Sequence, residues 1–107
     1  MEDISKAGNA LSIIEKMSNA GDSVTSCFEI MKNAGWIEYK YSRFMATVPI
    51  DVNEELKRLP DADFGLCCAL MTMLLREDHF SNGSFEHRIV DGSVARVLAR
   101  MKMLQSL

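Results

Sequence analysis

Apolar residues recur at helical spacing in the first third of the chain, and this pattern predicts two helices. Five apolar residues of segment 2–20 follow one another at steps of three or four and therefore share one helix face: Ile4, Ala7, Leu11, Ile14 and Met17. Asp3 is the expected N-cap and Gly21 the expected C-terminal stop. A second helix is predicted over residues 23–34, ended by Gly35. The short connection between them predicts an antiparallel hairpin.

The middle of the chain fits two patterns. Residues 37–41 alternate between apolar and polar side chains, as in a strand, but apolar residues of the same region also recur at helical spacing. A lone strand would leave its backbone groups unpaired. An irregular or helical conformation is therefore favoured over a strand for residues 36–48. A short helix is predicted to follow, beginning at residue 51 or 53 and ending before Pro60.

The second half contains the clearest helical signals. Asp61 is predicted to cap a helix over residues 61–78, and the apolar residues of this helix cover most of its circumference, as expected of a central helix packed on several sides. A short helix over residues 85–91 is ended by Gly92. Ser93 is predicted to cap the last helix, whose inward stripe is Val94, Val97, Leu98, Met101 and Leu104.

These elements predict an all-α fold, a compact bundle of five or six helices that forms a single domain over residues 1–107. A hydrophobic content of 48 % and a charged content of 25 % are typical of a globular protein. Three cysteines, two of them adjacent, make a poor disulfide framework and indicate a reducing compartment. The first residues do not resemble a signal peptide and no apolar run approaches the length of a membrane span, which predicts a cytoplasmic protein without membrane contact.

An Arg-x-x-x-Phe-x-x-Gly turn links the long apolar helix to the short helix that ends in glycine. The residues of this pattern and of the helices around it are Leu74, Arg76, Phe80, Gly83, Gly92, Leu98 and Met101. With them the chain resembles a small family of bacterial and phage proteins known only as a domain of unknown function. That family usually has a second Arg before the Phe, where this chain has His79. The resemblance implies a mostly helical fold and an origin in bacteria or their mobile elements, and it implies no activity.

A structural role is favoured for the residues of this motif. Phe80 is predicted to fill the junction between two helices. Gly83 is expected to supply a turn of unusual φ, and Gly92 a helix stop. Arg76 is expected to bind the last carbonyls of the long helix.

Candidate chemistry is sparse. One polar cluster carries residue types used in metal or acid–base sites: Arg76, Glu77, Asp78, His79, Glu86 and His87. Because the spacing of His79 and His87 matches no established motif, the sequence predicts no catalytic residue, no metal and no cofactor. A metal-dependent hydrolase built on these two histidines is kept as a minor alternative.

The last helix offers a small basic face. Arg96 and Arg100 are four residues apart and therefore share one side of the helix, as a DNA-binding regulator would need. The net charge of −3 argues against a nucleic-acid partner, which normally requires clustered cations. Cations near a helix C-terminus also complement the helix dipole. DNA binding is therefore the alternative rather than the main hypothesis.

The main functional hypothesis is a non-enzymatic protein–protein interaction module. A phage or mobile-element protein that binds and inhibits host machinery, such as a defence complex, would fit this description. Trp36, Tyr39 and Tyr41 are the tentative contact residues, because large aromatics with a polar tip are favoured at interfaces. Trp36 could equally cap the helical hairpin. A second copy of the chain is an alternative partner, and Met73 and Met103 are expected to add exposed apolar surface.

Overall fold

The computed structural model describes residues 2–19 and 24–105 of the chain, with side chains from residue 10 onwards. Within these ranges the chain forms six α-helices: α1 (Glu2–Ser18), α2 (Val24–Ala34), α3 (Val52–Leu56), α4 (Phe64–Phe80), α5 (Ser84–Val90) and α6 (Ser93–Gln105). Two short 3₁₀ turns cover Tyr41–Phe44 and Leu59–Asp61. The described residues contain no strand. The prediction of an all-α helical bundle is therefore confirmed.

Helix α4 forms the centre of the bundle. Residues 67–75 are all buried, so this helix has no solvent-facing side over more than two turns. It packs against α6 and α5, and also against the 3₁₀ turn Tyr41–Phe44, α3 and α2. The wide apolar surface seen in the sequence therefore corresponds to packing on several sides, as predicted.

The amphipathic stripes of the outer helices face this centre. In α6, four of the five predicted inward residues are buried, and Leu104 is half-buried. In α1, Ile14 and Met17 are buried, whereas Leu11 lies at the edge of the stripe and is exposed. Met103 is exposed as expected, but Met73 is buried, because no side of α4 faces solvent at that level.

Several helix ends differ from the predicted ones. Asp63, not Asp61, caps α4: its Oδ1 accepts a hydrogen bond from the Leu66 amide (2.8 Å). Asp61 lies instead in the preceding 3₁₀ turn Leu59–Asp61, which has Pro60 near its start. Asp51 caps α3 through the Glu54 amide, but α3 ends at Leu56. Asp3 lies within α1 rather than before it.

Three glycines end or begin helices in the left-handed region of φ, where other residues are strained. Gly35 has φ +76°, Gly83 +90° and Gly92 +87°. The predicted roles of Gly83 in a turn and of Gly92 as a helix stop are confirmed. The predicted stop at Gly21, the first residue of the second predicted helix and the side chains of Ile4 and Ala7 lie outside the described residues.

The middle segment is irregular, as favoured from the sequence. The Trp36 amide donates to the carbonyl of Met31 (2.8 Å) at the end of α2. The Glu38 amide donates to Oγ1 of buried Thr72 (3.1 Å), which in turn donates to the Cys68 carbonyl (2.8 Å). The segment is therefore fixed along α4 through side-chain and turn hydrogen bonds rather than through a sheet. None of the helices in the described ranges has the length and apolar character needed to cross a membrane.

Candidate functional site

Residues 39–50, here called the 39–50 loop, carry half of the large hydrophobic side chains that are exposed among the described residues. Val48 is 96 % exposed and Tyr39 is 73 % exposed. Phe44 and Ile50 are also exposed. Exposed apolar residues scattered singly are ordinary, but a concentration in one short segment is typical of an interaction site.

The backbone of this loop is held by a buried carboxylate. Glu55 lies on α3 and is 0 % exposed. Its Oε2 accepts hydrogen bonds from the amides of Ala46 (3.0 Å) and Thr47 (2.7 Å), and also from the Thr47 hydroxyl. Its Oε1 accepts from Nη1 of Arg58 (2.7 Å). A buried charge needs such partners, because an unpaired one would cost several kcal/mol.

Two further contacts extend this network along the loop. Arg58 Nη1 also donates to the carbonyl of Phe44 (2.8 Å), and Thr47 Oγ1 accepts from the Asp51 amide (2.8 Å). Residues 44–51 are thus fixed at four backbone positions, and Val48 projects from the centre of this fixed stretch. The loop presents apolar side chains on an ordered backbone.

The network also sets the protonation state of Glu55. Burial raises the pKa of this carboxyl, but the hydrogen bonds from Thr47, Arg58 and the two backbone amides outweigh burial and lower the pKa to about 2. Glu55 is therefore ionised at neutral pH in spite of its burial. It acts as a structural anion that orders the loop.

The three aromatic residues predicted as contacts have different environments. Tyr39 is exposed in the 39–50 loop. Trp36 is half-buried and packs edge-on against Phe64 of α4, with ring centroids 5.1 Å apart. Tyr41 is half-buried against the core. Of the three, only Tyr39 is largely exposed, whereas Trp36 packs on α4 just after the end of α2 rather than on the hairpin of α1 and α2.

The two arginines of the predicted basic face of α6 have different environments. Arg96 is exposed. The Nε of Arg100, by contrast, donates to the carbonyl of Ala62 (2.8 Å) and ties α6 to the turn before α4. One of the two cations of this face thus has a structural role.

The predicted role of Phe80 is wrong. Phe80 is 79 % exposed, whereas Phe85 is fully buried and fills the junction between α4 and α5. Phe80 follows Arg76 by one helical turn and therefore shares the exposed side of α4 on which Arg76 lies. After the turn at Gly83 the chain reverses and directs Phe85 inward.

Arg76 does not satisfy the last carbonyls of α4 either. Its side chain is exposed, and among the described residues it takes part in no hydrogen bond or ion pair. Asp78 instead fixes this turn, since its Oδ1 accepts from the amides of Gly83 (3.1 Å) and Phe85 (3.0 Å). Asp78 thereby satisfies free amides at the start of α5.

The remaining polar residues of this region form an ion pair rather than a ligand set. Glu77 of α4 binds Arg88 of α5 through two bonds, Nε to Oε1 (3.0 Å) and Nη2 to Oε2 (2.9 Å). Arg88 also donates to Oδ1 of Asn53 on α3 (2.9 Å). His79 and His87 are exposed, and nowhere in residues with described side chains do three His, Cys, Asp or Glu residues approach closely enough to share a metal.

We expect the purified protein to carry no stoichiometric zinc, manganese or iron. Because a bound metal stabilises the state that holds its ligands, a chelator should leave the thermal midpoint unchanged. Metal analysis and thermal unfolding with and without EDTA test this. A drop in the midpoint of several degrees with EDTA, abolished in His79→Ala or His87→Ala, would contradict the assignment.

The three thiols are poor nucleophiles. Cys27, Cys67 and Cys68 are free and buried. Burial raises the pKa of Cys67 to about 11 and that of Cys68 to about 12. The thiolate that nucleophilic chemistry requires is therefore scarce at neutral pH.

A cleft of about 270 Å³ lies between α1, α5 and α6. Its walls are mostly apolar: Ile14, Met17, Ser18, Ile89, Val94, Ala95, Leu98, Ala99 and Lys102. Its volume lies just below the range of about 300–1,000 Å³ that is typical of small-molecule pockets.

One family model matches this chain over nearly its whole length. Residues 5–106 match the model of a family described as "Family of unknown function (DUF6508)". The chain belongs to this family. The resemblance seen in the C-terminal half is thereby confirmed and extends over nearly the whole chain. No curated protein and no solved structure matches it.

Sequence reasoning missed part of this site. Val48 and Ile50 flank Pro49 in a stretch without any acidic residue. Two apolar residues beside a proline were a signal in the sequence for apolar side chains exposed in a loop. Glu55 gave none, because within Asn53-Glu54-Glu55 it resembles an ordinary solvated helix acid.

Proposed function

We propose that this protein is a non-enzymatic protein-binding module whose contact surface is the 39–50 loop. The observation that carries the proposal is the exposure of Val48 on a backbone that buried Glu55 holds in place, with exposed Tyr39 in the same loop. Exposed apolar side chains on ordered backbone have no benefit for folding, but they are what a partner surface requires.

Preorganisation supports this assignment. Association normally costs free energy for ordering loops and side chains at the interface. In this protein the hydrogen bonds of Glu55, Thr47 and Arg58 fix the loop during folding. When a partner covers Val48, the free energy gained by burying apolar surface is therefore offset less by the cost of ordering the loop.

The alternatives draw less support from the geometry. A DNA-binding regulator on α6 would have to use Arg100, which already bonds to Ala62. A metal-dependent hydrolase at His79 and His87 would need a convergent ligand set, but Glu77 binds Arg88, Asp78 binds the backbone of the turn, and among the described residues no three His, Cys, Asp or Glu side chains could hold a metal ion.

The setting is part of the proposal. We place the protein in the cytoplasm of a bacterium, where its buried thiols would stay reduced, and we propose that it comes from a phage or mobile element and inhibits host machinery such as a defence complex. The position of its gene among phage or plasmid genes would support this setting, and a place in a metabolic operon would contradict it. A second copy of the chain is the alternative partner and would appear as a loop-dependent dimer.

Affinity capture from a lysate of the native host tests the binding surface. We expect Tyr39→Ala and Val48→Ser each to reduce recovery of the partner, because truncating an interface anchor costs about 1–2 kcal/mol, roughly a fivefold to thirtyfold loss of affinity. Val90→Ser is the matched control, since Val90 is 86 % exposed at the end of α5 and lies outside the loop. Equal recovery by all four proteins, or a loss only in the control, would contradict the proposal.

Tyr41→Ala separates an anchor from a core residue. Tyr41 packs against the hydrophobic core, so we expect its truncation to lower the thermal midpoint more than Tyr39→Ala does. Tyr39→Ala should leave helicity by circular dichroism and the thermal midpoint unchanged. If Tyr39→Ala unfolds the protein, this ring belongs to the core and the surface must be sought elsewhere.

A further inference from the structure

The 39–50 loop is a basic segment in an acidic chain. It contains Lys40 and Arg43 and no Asp or Glu, whereas the whole chain has a net charge of −3. Both cationic side chains are exposed. On the basis of the proposed function, we infer that the partner presents an acidic peptide segment in which Asp or Glu residues flank apolar side chains.

The carboxylates around the loop leave these two cations available. Glu55 is paired with Arg58, and Glu54 with Lys57. Glu38 accepts from the backbone amide of Lys40 (3.0 Å), and Asp51 accepts from the amide of Glu54 (3.2 Å). Within the part of the chain whose side chains are described, no carboxylate forms an ion pair with Lys40 or Arg43.

Exposed charges at the rim of an apolar contact select the partner by complementarity. They increase the association rate with oppositely charged surfaces and disfavour like-charged ones. Lys40 follows Tyr39 directly in the chain and Arg43 precedes Phe44, so both cations belong to the same short segment as the exposed rings. A peptide that inserts apolar side chains between these rings and Val48 would bring neighbouring carboxylates close to both cations.

The same residues suit a protein better than a single-stranded nucleic acid. Aromatic rings beside cations can stack bases, but the site offers only two cations. Its most exposed side chain, Val48, is aliphatic and cannot stack. Val48 and Ile50 instead match the apolar side chains of a peptide.

Selection from a random peptide library displayed on phage, with the full chain as bait, tests this inference. We expect the enriched peptides to combine Asp or Glu with Leu, Phe or Trp. A synthetic copy of the dominant peptide should bind the wild-type chain and lose affinity at least about tenfold in Lys40→Glu/Arg43→Glu and in Val48→Ser. Its affinity should also fall several-fold between about 0.05 M and about 0.5 M salt.

The matched control is Lys16→Glu/Arg96→Glu, which changes the net charge by the same amount at exposed positions on α1 and α6. It should bind as the wild type does. Enriched peptides without an excess of Asp and Glu would contradict the inference of an acidic partner. Binding that is lost in Val48→Ser but unchanged in Lys40→Glu/Arg43→Glu would contradict it as well. Both results would leave the proposed function standing. Binding unaffected by Val48→Ser would contradict the proposed function itself. Tighter loop-dependent binding of an oligothymidylate than of any selected peptide would overturn both in favour of nucleic acid.

Discussion

Phe85→Ala is expected to lower the free energy of unfolding by about 3–5 kcal/mol. Among the described residues, Phe85 is the largest side chain that is wholly inaccessible to solvent, and it lies at the junction between α4 and α5. Its truncation leaves a cavity that the surrounding helices can only partly close, because Asp78 fixes the turn that carries it. Urea denaturation followed by circular dichroism measures the effect.

Phe80→Ala is the matched control, since it removes the same ring five residues earlier. Phe80 is 79 % exposed, so we expect its loss to change stability by less than about 0.5 kcal/mol. Comparison of the two variants shows which of the two phenylalanines that flank the turn at Gly83 stabilises the core. If Phe80→Ala costs more stability than Phe85→Ala, the assignment of the core at this junction is wrong.

Glu55→Gln is expected to destabilise the protein by about 2–3 kcal/mol, because the neutral amide loses the charge-assisted hydrogen bonds that the buried carboxylate accepts from Arg58, Thr47 and two backbone amides. The amide would also place N–H groups where the Ala46 and Thr47 amides donate. Glu54→Gln, one residue earlier, is the control. Glu54 pairs only with Lys57 at the surface, and such pairs contribute about 0–1 kcal/mol. A loss below about 1 kcal/mol in Glu55→Gln would show that the loop is held by other means.

The same carboxylate predicts a pH dependence. Its pKa in the folded protein is lowered from the ordinary 4.5 to about 2, so its contribution is complete above pH 4.5 and is lost as the pH falls toward 2. The stability difference between wild type and Glu55→Gln should therefore shrink over this interval. A difference that stays constant from pH 6 to pH 2.5 would mean that the charge of Glu55 is unimportant.

Periodicity predicted the helices well because burial follows helix geometry directly. The stripe of α6 and the all-round apolar character of α4 correspond to buried faces, and in α1 the stripe residues Ile14 and Met17 are buried. Glycines at helix ends were equally informative, since only glycine adopts φ near +90° without strain. These signals are local, and the sequence contains them completely.

The misassigned residues depend on how the chain turns between helices. Phe80 and Phe85 look alike in sequence, and which one is buried depends on the turn at Gly83 and on the Asp78 carboxylate. Asp61 and Asp63 are likewise both good caps, and the 3₁₀ turn Leu59–Asp61 decides between them. The role of Glu55 required knowing which loop would fold over α3, which no local pattern indicates.

The candidate surface was only partly predictable for the same reason. Tyr39 was identified by residue type alone, and Trp36 and Tyr41 were grouped with it although both contact the core. The three aromatic residues differ in solvent exposure, and this exposure depends on the irregular path of residues 36–48 along α4. Val48 became apparent from its exposure together with the hydrogen bonds that fix its neighbours.

The most direct test of the protein-binding surface is site-specific photo-crosslinking in living host cells. The photoreactive residue p-benzoylphenylalanine would replace Val48 in one variant and Val90 in another, because both are valines with more than four-fifths of their side chain exposed. The proposal predicts a discrete crosslinked adduct from position 48 and none from position 90. Adducts of equal yield from both positions, or an adduct from position 90 alone, would contradict it.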